Sequence, residues 1–215
     1  GDAIFGFLYA QCEDDFERVE MNYITAVGRL AEVEGESKLY HDLRTRLFYD
    51  SLQAISIYTG SPVWLKRLCE GFANGINYYL QTHPEVKPKL LHRFQPWMPF
   101  LFSEGSIGGD LESISVSRLK NFYGDGKTVS SIEEKDHEPE PKGSNGFAIA
   151  PSRSASGNAL LLINPHTSFY FRPEVHVTSE EGLNAYGAVT WGQFFVYQGF
   201  NQYCGWMHTS GNMDV

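Results

Sequence analysis

Positive charge is scarce in this 215-residue chain. It has 17 lysines and arginines against 26 aspartates and glutamates, a formal net charge of -9 at pH 7. Proteins that bind nucleic acid need a basic surface to neutralise phosphates, and a polybasic membrane patch needs the same residues. The composition therefore predicts neither a nucleic-acid partner nor a membrane partner.

Long apolar runs and paired cysteines are missing from the sequence as well. The sequence contains no run of about 18 apolar residues, so it predicts no membrane-spanning helix. Cys12, Cys69 and Cys204 form no CxxC pair, so they predict neither a disulfide framework nor a zinc knuckle, and the redox compartment stays open. The chain begins at Gly1 rather than Met, so we expect a processed or excised piece.

The part before residue 124 has the apolar period of helices. One helix is predicted from Phe16 to Leu30 with its end at Gly35, and a second from Leu43 to Ile55. Ser61 and Pro62 are typical of an N-cap and a first-turn proline for a third helix, which stops at His83. Residues 84 to 110 are predicted to be loop, and 111 to 122 a fourth helix.

Residues 124–143 differ from both flanks. They contain six acids and three lysines, with Val129 and Ile132 as the only strong apolar side chains. Such a segment buries too little surface to offset its ordering entropy, so we predict an exposed linker.

The apolar period changes to two after the linker. Short apolar and aromatic runs are separated by Gly, Pro, Asn and Ser, which predicts antiparallel strands. The runs are 147–150, 159–163, 170–176, 183–189, 194–199 and 204–209. Helices followed by strands predict an α+β fold, divided into a helical part at 1–123, the linker at 124–143 and a sheet at 144–215.

Ser144 stands where the linker meets the first strand. On its own, Gly143-Ser144-Asn145 is ordinary turn chemistry, and no GxSxG or SxxK motif is present. If the Gly143–Ser144 bond were cut, however, the α-amine of Ser144 would have a pKa near 7.7–8.0 and would serve as the general base for its own hydroxyl.

Several motifs in order sharpen this hypothesis. Downstream of Ser144 stand Ser152-Arg153-Ser154, Asn164-Pro165-His166, Gly199-Phe200-Asn201 and His208-Thr209-Ser210-Gly211; upstream stand Gly6 to Gln11 and Glu70 to Asn77. This series resembles the penicillin acylase family of Ntn hydrolases, over nearly the whole chain. The His at 166 is more similar to the cephalosporin, homoserine-lactone and lipopeptide acylases than to the penicillin G branch.

The resemblance implies a role for each matching residue. Ser144 would be the nucleophile of an amidohydrolase with an αββα sheet, Gly143-Ser144 the autocatalytic processing site, and residues 124–143 a spacer. His166 would contact the nucleophile, and the backbone N–H of Ser210 would form part of the oxyanion hole. Asp214 would begin a cluster binding a structural calcium ion, with Glu112 a further ligand; no organic cofactor is implied.

The same resemblance implies the wider context. The substrate would be a small N-acyl amide, the processed enzyme an α/β heterodimer, and the location periplasmic or secreted. The family is several times longer than this chain, so we expect a fragment or an unprocessed portion that lacks the Asn and Arg completing the active site. The family's Pro-Gly pair is replaced by Trp191-Gly192-Gln193-Phe194, which leaves the acyl preference open.

Other interpretations remain at this point. A non-enzymatic binding module, with an aromatic sheet that holds a carbohydrate or peptide, is the main alternative, and a non-catalytic relative of the family is another. His166 can be a turn histidine, and Asp214 a solvated carboxylate. His176 and His208 are predicted to be structural, since no short ligand pair predicts zinc. Residues 124 to 127 resemble an EF-hand loop but lack its acidic ladder.

Overall fold

A computed structural model describes residues 1–48, 50–102, 114–124, 144–166 and 173–209. Helices come first in the chain and antiparallel strands follow, which confirms the predicted α+β class. The chain forms two compact units. A helical unit comprises Gly1–Glu133 together with Trp191–Phe194, and a strand unit comprises Glu134–Thr190 and Phe195–Val215.

Six α-helices lie in the described part of the helical unit. They are α1 (Asp2–Ala26), α2 (Ala31–Glu34), α3 (Leu39–Phe48), α4 (Ser51–Gly60), α5 (Val63–Thr82) and α6 (Val116–Tyr123), with 3₁₀ turns at Glu36–Lys38 and Met98–Leu101. No helix among the described residues is long and apolar enough to cross a membrane.

Helices α1 and α5 form the core of the helical unit. Tyr23 of α1 packs its ring on Phe72 of α5 and on Phe94, with centroids 5.0 and 5.8 Å apart. A Cβ on Gly71 would lie 2.4 Å from the backbone oxygen of Gly1, and a Cβ on Gly75 would lie 2.4 Å from that of Phe5. The two glycines therefore let the backbones of the two helices approach. The spacing of four residues puts both glycines on one face of α5.

Two polar side chains, the buried Glu20 and the half-buried Asn77, hold the loop that follows α5. The Glu20 carboxylate accepts hydrogen bonds from the backbone N–H groups of Lys89, Leu90 and Leu91 at 2.8–3.0 Å. Asn77 donates to the carbonyl of Phe94 at 2.9 Å and accepts from its N–H at 2.8 Å. Buried polar groups require such partners, so these bonds fix the loop against the helices.

The strand unit contains two antiparallel sheets. Strands β1 (Ser144–Ile149) and β2 (Leu160–Pro165) form a hairpin, in which Ser144 pairs with Pro165 and Ile149 with Leu160. Strands β3 (Glu174–Thr178), β4 (Asn184–Ala188), β5 (Gln198–Asn201) and β6 (Gly205–Trp206) form the second sheet in chain order.

The helix boundaries correct several predictions. The first helix begins at Asp2 and ends at Ala26, because Gly28 adopts a left-handed φ of +67°; Gly35 ends α2 instead. The backbone of α1 also kinks at Asp15, where φ is -159° and the carboxylate caps the N–H of Arg18 at 3.0 Å.

The second predicted helix, Leu43 to Ile55, is wrong as a single element. Asp50 and Gln53 form a capping box that starts α4 after α3 has ended. The Ser61 N-cap is also wrong, because its hydroxyl donates back to Ile57 at 2.7 Å and Pro62 caps α5. The predicted stop at His83 is confirmed. The fourth helix starts at Val116, and residues 111–113 lie outside the described part.

Candidate active site

The hairpin register determines what surrounds Ser144. Ser144 is the first residue of β1 and lies opposite Pro165, the last residue of β2. His166 follows Pro165 directly, so pairing of the two strands brings the ends of a 22-residue stretch together. Both Ser144 and His166 are half-buried. The predicted nucleophile and its predicted histidine neighbour therefore lie at the same end of one hairpin.

Two asparagines contact the His166 ring. Asn145 and Asn164 face each other across the hairpin, and their side-chain nitrogens lie 3.0 and 3.4 Å from His166 Nε2. An amide nitrogen is a hydrogen-bond donor, and an imidazole nitrogen that carries no proton is an acceptor, so both asparagines have the chemistry to bond the ring. Both strands of the hairpin therefore contribute a contact to the His166 ring.

The segment after β6 also contacts the start of β1. The Thr209 hydroxyl donates a hydrogen bond to the backbone carbonyl of Ser144 at 3.0 Å. Met207 packs over Gly146, where a Cβ would meet the Met207 sulfur. Thr209 immediately precedes Ser210, the residue predicted to supply an oxyanion N–H, so the chain is tied to the candidate nucleophile one residue before that position.

The remaining predicted site residues lie outside the described residues. They are Gly143, Ser210, Asp214 and Glu112, so the processing, oxyanion and calcium assignments stay predictions. Within the described ranges there is no group of three or more His, Cys, Asp and Glu residues that could hold a metal ion. His176 bonds Asn184 at 2.8 Å, and His208 stacks on Tyr197 with centroids 4.3 Å apart.

Two thiols are poor candidates for a rival nucleophile. Burial raises the pKa of Cys12 to about 12 and the pKa of Cys69 to about 11. A thiolate, not a thiol, is the attacking species, so both cysteines are inert near neutral pH. Cys204 is exposed on the connection between β5 and β6.

The contacts of Asn145, Asn164 and Thr209 were not assigned from the sequence. Thr209 and Ser144 are 65 positions apart, and no periodic pattern reports a bond over that separation. The pairing of Asn145 with Asn164 becomes visible only once the hairpin register is known. The alternation of apolar and polar residues in the two runs was the one sequence signal from which this register could have been predicted.

In this α+β chain the candidate serine is the first residue of a strand and lies at the same end of a hairpin as a histidine. The chain belongs to the penicillin amidase family, whose model matches residues 1–215. Among similar proteins, an acyl-homoserine lactone acylase PvdQ of Pseudomonas putida is 26% identical over 95% of this chain and 30% of its own length. An acyl-homoserine lactone acylase QuiP of Pseudomonas fluorescens is 24% identical over 97% of this chain and 31% of its own.

A third similarity covers a shorter stretch at a higher identity. An acyl-homoserine lactone acylase PvdQ from the same Pseudomonas fluorescens strain is 39% identical over 74 residues, which cover 32% of this chain and 9% of that protein. The chain thus spans about three-tenths of the length of the curated relatives it matches.

Proposed function

We propose that the protein containing this chain is an acylase that hydrolyses the amide bond of an N-acyl amide, with Ser144 as its nucleophile. Cleavage of the Gly143–Ser144 bond would free the α-amine of Ser144. The observation that carries the proposal is the convergence of Ser144, His166 and Thr209 at one end of the β1–β2 hairpin. Membership of the penicillin amidase family supports the same reaction class.

The reaction follows from the free amine. An α-amine with a pKa near 7.7–8.0 takes the hydroxyl proton as Ser144 Oγ attacks the amide carbonyl. The tetrahedral intermediate carries an oxyanion, for which the Ser210 N–H is the proposed donor; such a donor lowers barriers by roughly 2.7–4 kcal/mol in other enzymes. The amine product leaves with the proton, and water then hydrolyses the acyl-ester.

The geometry suggests a role for His166. Its ring lies at the same end of the hairpin as the nucleophile, with Nε2 beside the side-chain nitrogen of Asn145. We infer that His166 is a polar neighbour that positions Ser144. It does not take the hydroxyl proton, because the α-amine already serves as the base.

The amine portion of the substrate is proposed from the relatives. Those named above are acyl-homoserine lactone acylases, so we propose an N-acyl homoserine lactone as the substrate class, with free homoserine lactone and a fatty acid as products. The α/β heterodimer, the structural calcium ion at Asp214 and Glu112, and export from the cytoplasm belong to the same proposal.

The full-length protein tests the proposal. Intact mass and N-terminal sequencing should give a chain that begins at Ser144, and N-acyl homoserine lactones should release homoserine lactone. Ser144→Ala should abolish both. Ser156→Ala, which alters an exposed loop serine of the same unit, should abolish neither. A wild-type protein that stays uncut at Gly143–Ser144 and releases no amine would overturn it.

A further inference from the structure

Residues Trp191–Phe194 belong to a different unit from the chain on either side of them. They connect β4 to β5 in sequence, yet they cluster with the helical unit, while Thr190 and Phe195 remain in the strand unit. We call these four residues the anchor segment. Its position explains why the strand predicted over 194–199 begins only at Gln198.

Side chains of α1 bind the backbone of the anchor segment. Gln11 donates to the carbonyl of Gln193 at 2.9 Å and accepts from the N–H of Gly192 at 2.8 Å. The hydroxyl of Tyr23 donates to the Gly192 carbonyl at 2.8 Å. Asn22 donates to the Trp191 carbonyl at 2.9 Å. Three consecutive carbonyls are thus recognised by three side chains of one helix.

The hydrogen bonds made by Gln11 and Tyr23 are buried, and the one made by Asn22 is partly buried. Gln11 is 2% exposed, Tyr23 0% and Gln193 5%. Burial also raises the pKa of Tyr23 well above its usual value, so its hydroxyl remains a donor at any physiological pH. Buried polar groups left without partners are costly, which makes each of these bonds specific rather than incidental.

Shape adds to the hydrogen bonds. Gly192 has a left-handed φ of +88°, and a Cβ there would lie 2.7 Å from the Tyr23 ring. Phe194 packs against Phe72 of α5 with ring centroids 6.4 Å apart. The segment therefore requires glycine at 192 and places an aromatic side chain in the helical core.

The two partners stand on opposite sides of the proposed cut. Helix α1 precedes the 124–143 linker, and the anchor segment follows it. We propose that the contact of Gln11, Asn22 and Tyr23 with the anchor segment is the noncovalent joint by which the helical chain retains the chain beginning at Ser144. The inference rests on the proposed function, since cleavage after Gly143 is what turns this contact into one between two chains.

The joint has a matched control inside the helical unit. Asn77 holds the backbone of Phe94 with the same pair of bonds, one donated and one accepted, that Gln11 makes to the anchor segment. Both Asn77 and Phe94 precede the linker, so their contact never spans a cut. Tyr79 is a buried tyrosine of α5 that supplies a second control for Tyr23.

The test separates the joint from autocleavage. A recognition sequence for a site-specific protease is placed within residues 125–143 of the full-length protein carrying Ser144→Ala, and the protein is cut with that protease. Exchange of the helical chain between cut molecules is then followed by mass spectrometry with an isotope-labelled copy. Gln11→Leu and Tyr23→Phe should accelerate exchange by about tenfold or more, because each leaves buried groups of the anchor segment unpaired.

Two control variants leave every contact of the anchor segment in place. Asn77→Leu and Tyr79→Phe should leave the exchange rate within about twofold, whatever they do to the melting temperature of the uncut protein. Tyr23→Phe keeps the ring and so carries the test if Gln11→Leu does not fold. Equal acceleration by the controls, or none by Gln11→Leu and Tyr23→Phe, overturns the joint. Failure of the proposed function shows separately, as an uncut Gly143–Ser144 bond in the unmodified protein.

Discussion

At the residue scale, the two asparagines at His166 differ in a way that can be measured. Asn145 approaches Nε2 to 3.0 Å, an ordinary hydrogen-bond length, whereas Asn164 at 3.4 Å lies at the long limit. Asn145 is also adjacent to the candidate nucleophile. Asn145 is therefore better placed than Asn164 to hold the imidazole in one orientation at this end of the hairpin.

The prediction is an asymmetric pair of variants. Asn145→Ala should lower kcat for acyl-amide hydrolysis by about 10-fold to 100-fold, the range found when a partner that orients a metal-binding histidine is lost. Asn164→Ala should lower kcat by less. Steady-state kinetics over a range of pH, on full-length processed protein, checks this; KM should change little because neither side chain is assigned to substrate binding. An equal loss in the two variants would contradict the role given to Asn145.

Residue roles near Ser144 were only partly predictable from the sequence. The resemblance to known motifs singled out Ser144 and His166, and the hairpin brings them together. The bond from Thr209 to Ser144 joins positions far apart in the chain, and sequence periodicity carries no information about such contacts. The assignments of Ser210, Asp214, Glu112 and Gly143 stay predictions.

At the element scale, the packing of α1 on α5 depends on two glycines of α5. A helix interior normally disfavours glycine by roughly 0.5–1 kcal/mol relative to alanine. At Gly71 and Gly75 this cost is offset, because the absent Cβ lets the backbones of the two helices come together. The same residue type at Gly6 of α1 has no atom within 4 Å of its Cβ position.

The matched substitutions are Gly75→Ala and Gly6→Ala. Gly75→Ala should destabilise the protein by about 1–3 kcal/mol, since the new methyl group would lie 2.4 Å from the Phe5 carbonyl oxygen and the helices must separate. Gly6→Ala should stabilise by up to about 1 kcal/mol through helix propensity alone. Urea unfolding of the full-length protein measures both. A neutral Gly75→Ala would show that the contact tolerates a side chain.

Element boundaries show where sequence reasoning stops being reliable. The end of α5 at His83 was predicted, because a proline follows directly and excludes further helix. The division between α3 and α4 was missed, since the apolar spacing from Leu43 to Ile55 continues through the break. The capping box of Asp50 and Gln53 was the local signal that could have located it.

At the scale of the whole molecule, the chain crosses between its two units more often than its sequence suggests. The composition change at residues 124–143 predicts one boundary, yet the anchor segment returns to the helical unit near residue 191. Trp191-Gly192-Gln193-Phe194 has no periodic pattern, and its partners on α1 lie 169 to 182 positions away. Contacts to the backbone depend on three-dimensional proximity rather than on residue type. Gly192 is therefore the one residue of the segment whose type reflects the contact.

Separate expression of the two parts distinguishes association from chemistry in the whole molecule. One chain ends at Gly124, and the other starts either at Ser144 or at Gly143 and continues to the natural C-terminus. If the joint on α1 is sufficient, both versions should assemble with the helical chain upon co-expression. Only the version with a free α-amine on Ser144 should hydrolyse N-acyl homoserine lactones. In the other version the extra residue turns this amine into an amide nitrogen, which cannot accept a proton near neutral pH and so cannot serve as the base. Size-exclusion chromatography measures assembly, and homoserine lactone release measures turnover. Equal turnover by both versions would show that the hydroxyl of Ser144 is activated by some other group, with His166 the first to be examined.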